Sequence, residues 1–433
     1  MVIVENKKDW EKFMVEFEEN NSIVIPIQCD ENKHPMDTRL CLLYIKLLDG
    51  ELEEYILPFR HSDAINLESK YITMTWTPKD VFTYDKKKLL HFVKWENVYD
   101  VQMNYYMNTN EPLMIDDVMT NAHEHFYRIY YKTPDINCVI PLMKHIEWCR
   151  QLVERLKVGV LGTEEVEDVC NVYNKEVIEN LQYIEQSGLQ TTKGMVFSEY
   201  NLYTSTGRPS NRFGGLNFAA LNKSDGSRKQ FISRFGKDGM LVEFDYDAYH
   251  LRLIGDVVGY NFPNGSVHKH MAKFYGVDYE KSKSLSFKYL YGHIPIDVVQ
   301  MNPFFGKVYD YINKIWDTYK SENFIVSDIY NKKIFKKNLS DMNKNKVFNY
   351  LIQLMETENN MRMLAELIPK LEAYKSKLVL YSYDSFLFDF YLPDEIDFLY
   401  VMKETIEQKG KYPVKVTKGW NYHKMKDITG KFK

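Results

Sequence analysis

Two aspartates stand where a carboxylate is costly. Asp245 ends the apolar run Leu241-Val242-Glu243-Phe244, and Asp384 interrupts the apolar stretch LVLYSYDSFLFDF. A carboxylate at the end of a buried strand needs a partner or a cation. Two of them on adjacent strands would hold a pair of hard divalent ions. Mg²⁺ takes few carboxylates and completes its shell with water and phosphate oxygens. Such a pair activates an attacking oxygen and stabilises a leaving one in phosphoryl transfer. Asp247 shares the face of Asp245 on a strand and would add charge there. A third feature is YEKSKSLSFKYLYG, Tyr279 to Gly292. Its Lys283, Phe287 and Tyr291 are spaced i, i+4, i+8 and share one helical face. A cation for phosphates, an aromatic plate against a sugar and a tyrosine near a base suit a nucleoside triphosphate. The plainer alternatives are structural carboxylates and a core helix with a snorkelling lysine.

The order of these elements resembles the polymerase domain of family A DNA polymerases, the bacterial DNA polymerase I type. The resemblance runs from about Pro141 to Phe390 and more faintly to the N-terminus. Thr206-Gly207-Arg208-Pro209-Ser210 resembles the family's T-G-R-L-S segment, in which the Arg contacts the primer. VEFDYDAYHLR resembles motif A, so Asp245 matches a metal aspartate, Tyr246 lends a carbonyl to the second metal, and Arg252 ends the motif. KSLSFKYLYG resembles motif B, with Lys283, Phe287, Tyr291 and Gly292 matching. Ser266-Val267-His268 stands at the family's D-I-H, whose His meets the triphosphate. Ile325 to Phe335 looks like a worn V-x-T-x-x-G-R-R segment. Asn349 and Gln353 match an Asn and a Gln that touch the minor groove. Ser382-Tyr383-Asp384-Ser385 stands at motif C, so Asp384 matches the second metal aspartate.

The resemblance implies a fold of mixed α/β and α+β type. A ribonuclease-H-like, exonuclease-type domain over 1–117 precedes a helical connection and reduced thumb over 118–201. A right-hand polymerase of palm and fingers follows over 202–433, with the fingers near 262–340. It implies addition of dNTPs to a primer 3′-OH on primer-template DNA. Two Mg²⁺ ions, with Mn²⁺ as a substitute, sit on Asp245, Asp384 and the Tyr246 carbonyl. Lys283 and His268 meet the triphosphate, Phe287 and His250 shape the sugar pocket, and Tyr291 and Gly292 support the templating base. Arg208, Asn349 and Gln353 read minor-groove acceptors that every base pair presents. Lys332, Lys333, Lys336 and Lys337 hold the DNA backbone.

The departures are specific. His250 stands where motif A has the Glu that excludes a ribose 2′-OH. Tyr383 and Ser385 replace the His and second acid of motif C. Tyr279 holds the motif B arginine position, which leaves γ-phosphate binding to Lys281 or Arg228. Lys lacks the bidentate fork of Arg, so this change weakens triphosphate binding unless it is compensated. In the N-terminal third, Pro26 and Gln28 occupy the places of the exonuclease D-x-E, and Asp85 is retained from the second exonuclease motif. No good match to the third motif, Y-x3-D, is present, and a slipped register would bring in Asp30. One carboxylate cannot hold two Mg²⁺ ions, so this domain is expected to be structural and without proofreading. The segment of about 45 residues before Asn201 is short for a thumb. That predicts weak, salt-sensitive DNA grip, met by low processivity or by a processivity or replisome partner.

The elements that position these residues follow from pattern. Residues 22–27, 40–48 and 55–58 read as strands, and 85–93 as a short helix. Asp135 opens a helical stretch through Leu156, and 164–184 forms another helix. Residues 188–215, rich in Gly, Ser, Thr and Asn, read as an exposed loop. A strand covers 240–246, helices cover about 266–275, 278–291, 303–320 and 343–375, and a hairpin spans 378–390.

Composition sets the bounds. The chain has 433 residues, 45% apolar and 27% charged. It can bury large cores, which excludes wholesale disorder and points to two or three domains. The net charge of −4 gives no global basic signature. Local charge does: 331–346 carries +5 and 401–433 carries +6, leaving about −15 elsewhere. Lys-rich faces are often only solvated, but two of them flanking a carboxylate site suit a polyanion. Five scattered cysteines without C-x-x-C argue against a disulfide framework or a zinc knuckle. The N-terminal MVIVENKKDWEKF lacks the apolar block of a secretory leader, and no apolar run spans a membrane. A cytoplasmic protein is expected, in a bacterial host if a phage or other mobile element encodes it.

Two rivals stay open. One is an RNA polymerase or primase-like nucleotidyltransferase on the same palm, because Asp384-Ser385 resembles the H-D-S of single-subunit phage RNA polymerases. The other is a non-catalytic DNA-binding accessory subunit with a decayed fold.

Overall fold

The segment Ser22–Gln28 is apolar at five of seven positions and buried throughout, the pattern of a strand covered on both faces. The computed structural model describes all residues except 50–52, 74–76, 116–134, 161–166, 214–215, 218–220, 223–224, 264 and 433. It divides into two units, Met1–Gln186 and Ser187–Lys433.

In the first unit Ser22–Gln28 is β2 of a six-stranded sheet ordered β1-β4-β3-β2-β5-β6. β2 pairs antiparallel with β3 (Leu40–Leu47) and parallel with β5 (Val81–Thr83). β4 is Glu54–Pro58, β1 Val2–Ile3 and β6 Val98–Asp100. The two-residue period of a strand sends alternate side chains to opposite cores. Val24, Leu43, Ile45, Tyr55 and Leu57 pack with Trp10, Phe13 and Phe17 of helix Lys7–Glu19. Ile23, Ile25, Ile27, Leu42 and Tyr44 pack instead with Ile146, Cys149, Leu152 and Leu156 of helix Leu142–Val160. Pro26 is tolerated because β5 pairs only with Ser22 and Ile23, so no parallel ladder bond is lost at Pro26.

Three helical differences from the sequence reading stand out. A 3₁₀ turn, Ile136–Cys138, precedes a break at Pro141, and the long helix starts at Leu142. The helices at 142–160 and 167–186 belong to the first unit, whose boundary falls at Gln186, whereas the sequence reading set boundaries at 117 and 201. Of the residues expected as a reduced thumb, the described part up to Gln186 thus falls in the unit of the N-terminal sheet, and 187–201 falls in the second unit. The second helical run, Glu167–Ser187 with a π-helical centre, is tied down by charge. Lys86 Nζ stands 2.7 Å from Glu179, and buried Glu185 meets Lys87 and, at 3.3 Å, His91.

Burial pushes the Glu185 carboxyl up, but Lys87 and His91 more than reverse this and hold it at about 2. A carboxylate depressed in the folded state contributes stability above its unfolded pKa, which is lost as pH falls through the folded value. Glu185→Gln is expected to cost the first unit about 3 kcal/mol at pH 7. Denaturant melts of variant and wild type should converge as pH falls from about 4.5 toward 2.

In the second unit a five-stranded antiparallel sheet has the order β15-β16-β12-β17-β18. Its central strand β12 is Gly239–Tyr246, between β16 (Ser385–Tyr391) and β17 (Val414–Gly419). β15 is Lys377–Ser382 and β18 Lys426–Asp427. β17 lies within the Lys-rich tail that reads from sequence as solvated. Helices Tyr249–Val257, Val267–Tyr275, Tyr279–Tyr291, Ile296–Met301 and Pro303–Glu322 share one apolar cluster. The start of the 28-residue helix Lys344–Leu371 joins them through Phe348 and Ile352. The segment expected as loop holds short hairpins instead: β7 (Leu189–Thr191) with β8 (Gly194–Val196), and β9 (Glu199–Asn201) with β10 (Ser210–Phe213) and β11 (Leu216–Asn217). Strands of two to four residues leave too short a period to read. Among the described residues no helix is long and apolar enough to cross a membrane.

Candidate active site

The two aspartates come together because β12 and β16 are neighbours. Asp245 lies opposite Ser385 in the ladder. The Tyr246 backbone N–H donates to the Asp384 carbonyl at 2.9 Å. Asp384 sits in the two-residue turn between β15 and β16, beside Tyr383 at φ +59°. A left-handed non-glycine residue is strained and must be held. The hold is visible: Asn360 Nδ2 donates to the Tyr383 carbonyl at 2.6 Å and to Tyr381 Oη at 3.1 Å, and Tyr249 Oη donates to Asn360 Oδ1 at 2.8 Å. Asp384 reaches solvent, yet protein crowds its carboxylate. Desolvation, and then the charge of Glu356, raise its pKa. Asp245 is half-buried. The Tyr246 side chain is packed away, its hydroxyl bonded to the Ile406 carbonyl at 2.8 Å, so only its backbone is available to the site.

Glu356 is the residue the sequence reading missed. It is 1% exposed, yet stands 2.8 Å from Arg208 Nε and 2.9 Å from His250 Nε2. The Arg208 guanidinium also lies 3.6 Å from the centre of the Tyr383 ring. Asn349, Gln353 and Glu356 are spaced i, i+4, i+7 on helix Lys344–Leu371 and form one stripe. Asn349 Nδ2 donates to the Tyr291 carbonyl at 3.1 Å, and Gln353 Oε1 accepts from Thr206 Oγ1 at 3.4 Å. The stripe thus links the Arg208 loop to the end of helix Tyr279–Tyr291. The only sequence signal was that spacing.

Helix Tyr279–Tyr291 carries the expected face. Lys283 is exposed. Phe287 and Tyr291 stack with rings 5.9 Å apart and 3° from parallel. The Tyr291 hydroxyl hydrogen-bonds His250 Nδ1. Gly292 has no room for a side chain, because a Cβ would come within 2.6 Å of the Lys288 carbonyl. His268 is 3% exposed, with its ring against Phe287 and Tyr279. Burial lowers its pKa, so the ring is neutral near pH 7. Asp247 does not point free: Arg252 Nη2 stands 3.3 Å from it.

Two expected contacts with a polyanion are corrected. Arg228 is buried, donates twice to the Leu221 carbonyl and stacks over Tyr422, so it is not available to a γ-phosphate. Lys332 is 1% exposed and points inward, where burial pulls its pKa well down against the opposing charge of Glu358. Alternation along β14 (Lys333–Phe335), paired with β13 (Phe324–Val326), explains why: Lys332 and Ile334 face in. Lys336 and Lys337 are exposed and Lys333 is half-buried, each ammonium over an aromatic ring.

In unit one the residues expected at the exonuclease carboxylate positions have other partners. Gln28 is buried, and its Nε2 donates to the Asp30 and Lys33 carbonyls at 2.8 Å each. Asp85 caps helix Lys86–Leu90 through Lys88 N at 3.0 Å. Asp30 accepts from Asn32 N and pairs with Lys33 at 3.3 Å.

No protein-family model matches the sequence, and no curated protein sequence matches it. The fold does have solved counterparts. It is similar to the POL domain of Pol1 from M. smegmatis in complex with DNA primer-template and dNTP. The TM-score is 0.69 at 12% identity, and the match covers 98% of this chain and 99% of that one. At that identity the likeness establishes the fold.

Proposed function

We propose that this chain is a template-directed DNA polymerase that adds dNTPs to a primer 3′-OH and does not proofread. The observation that carries the proposal is the placing of Asp245 on β12 beside Asp384 in the turn that opens the adjoining strand β16, linked through Glu356, His250 and Tyr291 to the Lys283–Phe287–Tyr291 face. The fold shared with a polymerase domain that binds primer-template and dNTP supports it. In this reading the sheet holding β12 is the palm and the cluster of helices from about 262 to 340 is the fingers. The N-terminal sheet order supports a ribonuclease-H-like exonuclease domain that lost its carboxylates at Pro26 and Gln28.

The donor set fits Mg²⁺. Two carboxylates and the Tyr246 carbonyl are all hard oxygen ligands, few in number, as Mg²⁺ prefers when phosphates complete its shell. When bound, a Mg²⁺ pair would lower the pKa of the primer hydroxyl and neutralise the departing pyrophosphate. The protein's own side chains do the rest. Lys283 places a positive charge toward the triphosphate. Neutral His268 offers an N–H donor rather than a charge. Phe287 and Tyr291 present stacked rings to sugar and base. His250, held between the Tyr291 hydroxyl and Glu356, cannot swing away, so it walls the sugar pocket where the family has Glu. Arg208, Asn349 and Gln353 line the approach of the primer-template minor groove. Lys333, Lys336 and Lys337 offer charge to its backbone.

The experiment uses a 5′-labelled primer on a template with Mg²⁺. With dNTPs the primer should lengthen, and without them it should not shorten. Competing rNTPs should lose by about 10²-fold, the discrimination a wall against one hydroxyl can give. Preference for rNTPs would make the chain an RNA polymerase. No extension with Mg²⁺ or Mn²⁺ would make it an accessory subunit.

A further inference from the structure

Cys29, Cys41 and Cys138 come from the end of β2, the start of β3 and the turn Ile136–Cys138, with no motif spacing among them. Their Sγ atoms nonetheless lie within 4.8 Å of one another. The backbone builds this convergence. Cys29 N donates to the Arg39 carbonyl at 2.8 Å beside Cys41. Asn137 N donates to the Cys29 carbonyl at 3.2 Å, and Asn137 Nδ2 donates to the Gln28 carbonyl at 2.7 Å, which fixes Cys138. The loop after β4 closes the ring: Phe59 N and Arg60 N donate to the Cys41 carbonyl at 2.9 Å, and Ser62 N donates to the Cys138 carbonyl at 2.9 Å. Cys29 and Cys41 are buried and Cys138 is partly open.

His61, between those anchors, is a second and independent pointer. It is 1% exposed, and its Nδ1 accepts from Asp63 N at 3.1 Å. The proton of the neutral ring is therefore on Nε2, which is buried beside the Ile140 backbone and makes no well-aligned hydrogen bond. A buried N–H that is poorly paired is costly. His61 stands close enough to Cys138 for the two to interact electrostatically. A thiolate there would satisfy the N–H. As thiols the three pack into the apolar cluster under β2 and β3, with Cys41 Sγ donating weakly to the Arg60 and Asn137 carbonyls at 3.5 and 3.6 Å; as thiolates they would be metal ligands.

We infer that Cys29, Cys41 and Cys138 bind one Zn²⁺ ion as three thiolates, with water in the fourth position past half-open Cys138. Zn²⁺ prefers sulfur ligands in a tetrahedral set, whereas Mg²⁺ and Ca²⁺ need oxygen. Binding releases the three thiol protons to solvent. His61 is not a ligand; it is the outer donor that supports one thiolate, a common device around zinc. The ion would clamp β2, β3 and the 136–138 turn next to Gln28, where the exonuclease carboxylates are missing. The inference stands apart from the polymerase reading.

The full chain, purified under reducing conditions, should carry one zinc per chain by elemental analysis, and a chelator should lower its melting temperature. Exchange for Co²⁺ should give thiolate-to-cobalt charge-transfer bands with the strong visible bands of a tetrahedral site. Cys138→Ser should lose the metal and the bands, whereas Cys170→Ser, outside the cluster, should keep both. Three outcomes overturn the inference: a reduced wild-type chain that takes up no zinc, a cobalt spectrum without charge-transfer bands, or a cluster found as a disulfide by mass. The wild-type measurements decide the matter even if Cys138→Ser folds poorly.

Discussion

Asp245→Asn and Asp384→Asn are each expected to cut primer extension by about 10³-fold or more, roughly 4 kcal/mol of transition-state stabilisation. Neither change should unfold the chain. The link between the two strand ends is a backbone bond, Tyr246 N to Asp384 O, which Asn leaves in place. Asp384 is crowded by protein and repelled by Glu356, so losing its charge relieves strain and the melting temperature should hold or rise. Loss of activity with retained melting would mark both residues as chemical rather than structural. Near-normal extension by either variant would remove the carboxylate pair from the mechanism.

Glu356→Gln is expected to have the second largest effect, and it combines stability with selection. Breaking a buried ion pair from one side costs about 3–5 kcal/mol. Arg208 is partly exposed, with 27% of its side chain accessible, so water absorbs part of that cost and about 2–3 kcal/mol is expected. Gln keeps one acceptor oxygen for two donors, so His250 and Arg208 compete for it and His250 is held less firmly between Glu356 and the Tyr291 hydroxyl. The variant should therefore melt earlier, bind primer more weakly and admit more rNTP. Denaturant melts and dNTP against rNTP competition check the two parts. Wild-type stability with unchanged sugar selection would reduce Glu356 to an ordinary buried acid.

How much of this could be read in advance depended on range. Asp245 and Asp384 were legible because each breaks an apolar strand pattern, and local patterning carries strands of six to eight residues. Lys283, Phe287 and Tyr291 were legible because a helix fixes their face. Glu356 was not, because a carboxylate in an apolar helix acquires its role only from Arg208 and His250, which are distant in sequence. Lys332 misled because a basic run reads as one solvated face, while a strand turns every second residue inward. β17 was hidden for the same reason: Val414 and Val416 face the core and Lys415 faces out. The helices at 142–187 showed their apolar faces in sequence, but nothing local says which sheet covers them. The three clustered cysteines follow only from the pairing of β2 with β3 and the return of the chain at 138.

In the proposed function, the Asp245–Asp384 site joins the nucleotide the template dictates. It is tested most directly by single-nucleotide incorporation, offering each dNTP alone with Mg²⁺ opposite each of the four template bases. The expected result is extension by one nucleotide with the complementary dNTP only, and none by Asp245→Asn. Extension without regard to the template base, or equal extension by the Asp245→Asn chain, would contradict it.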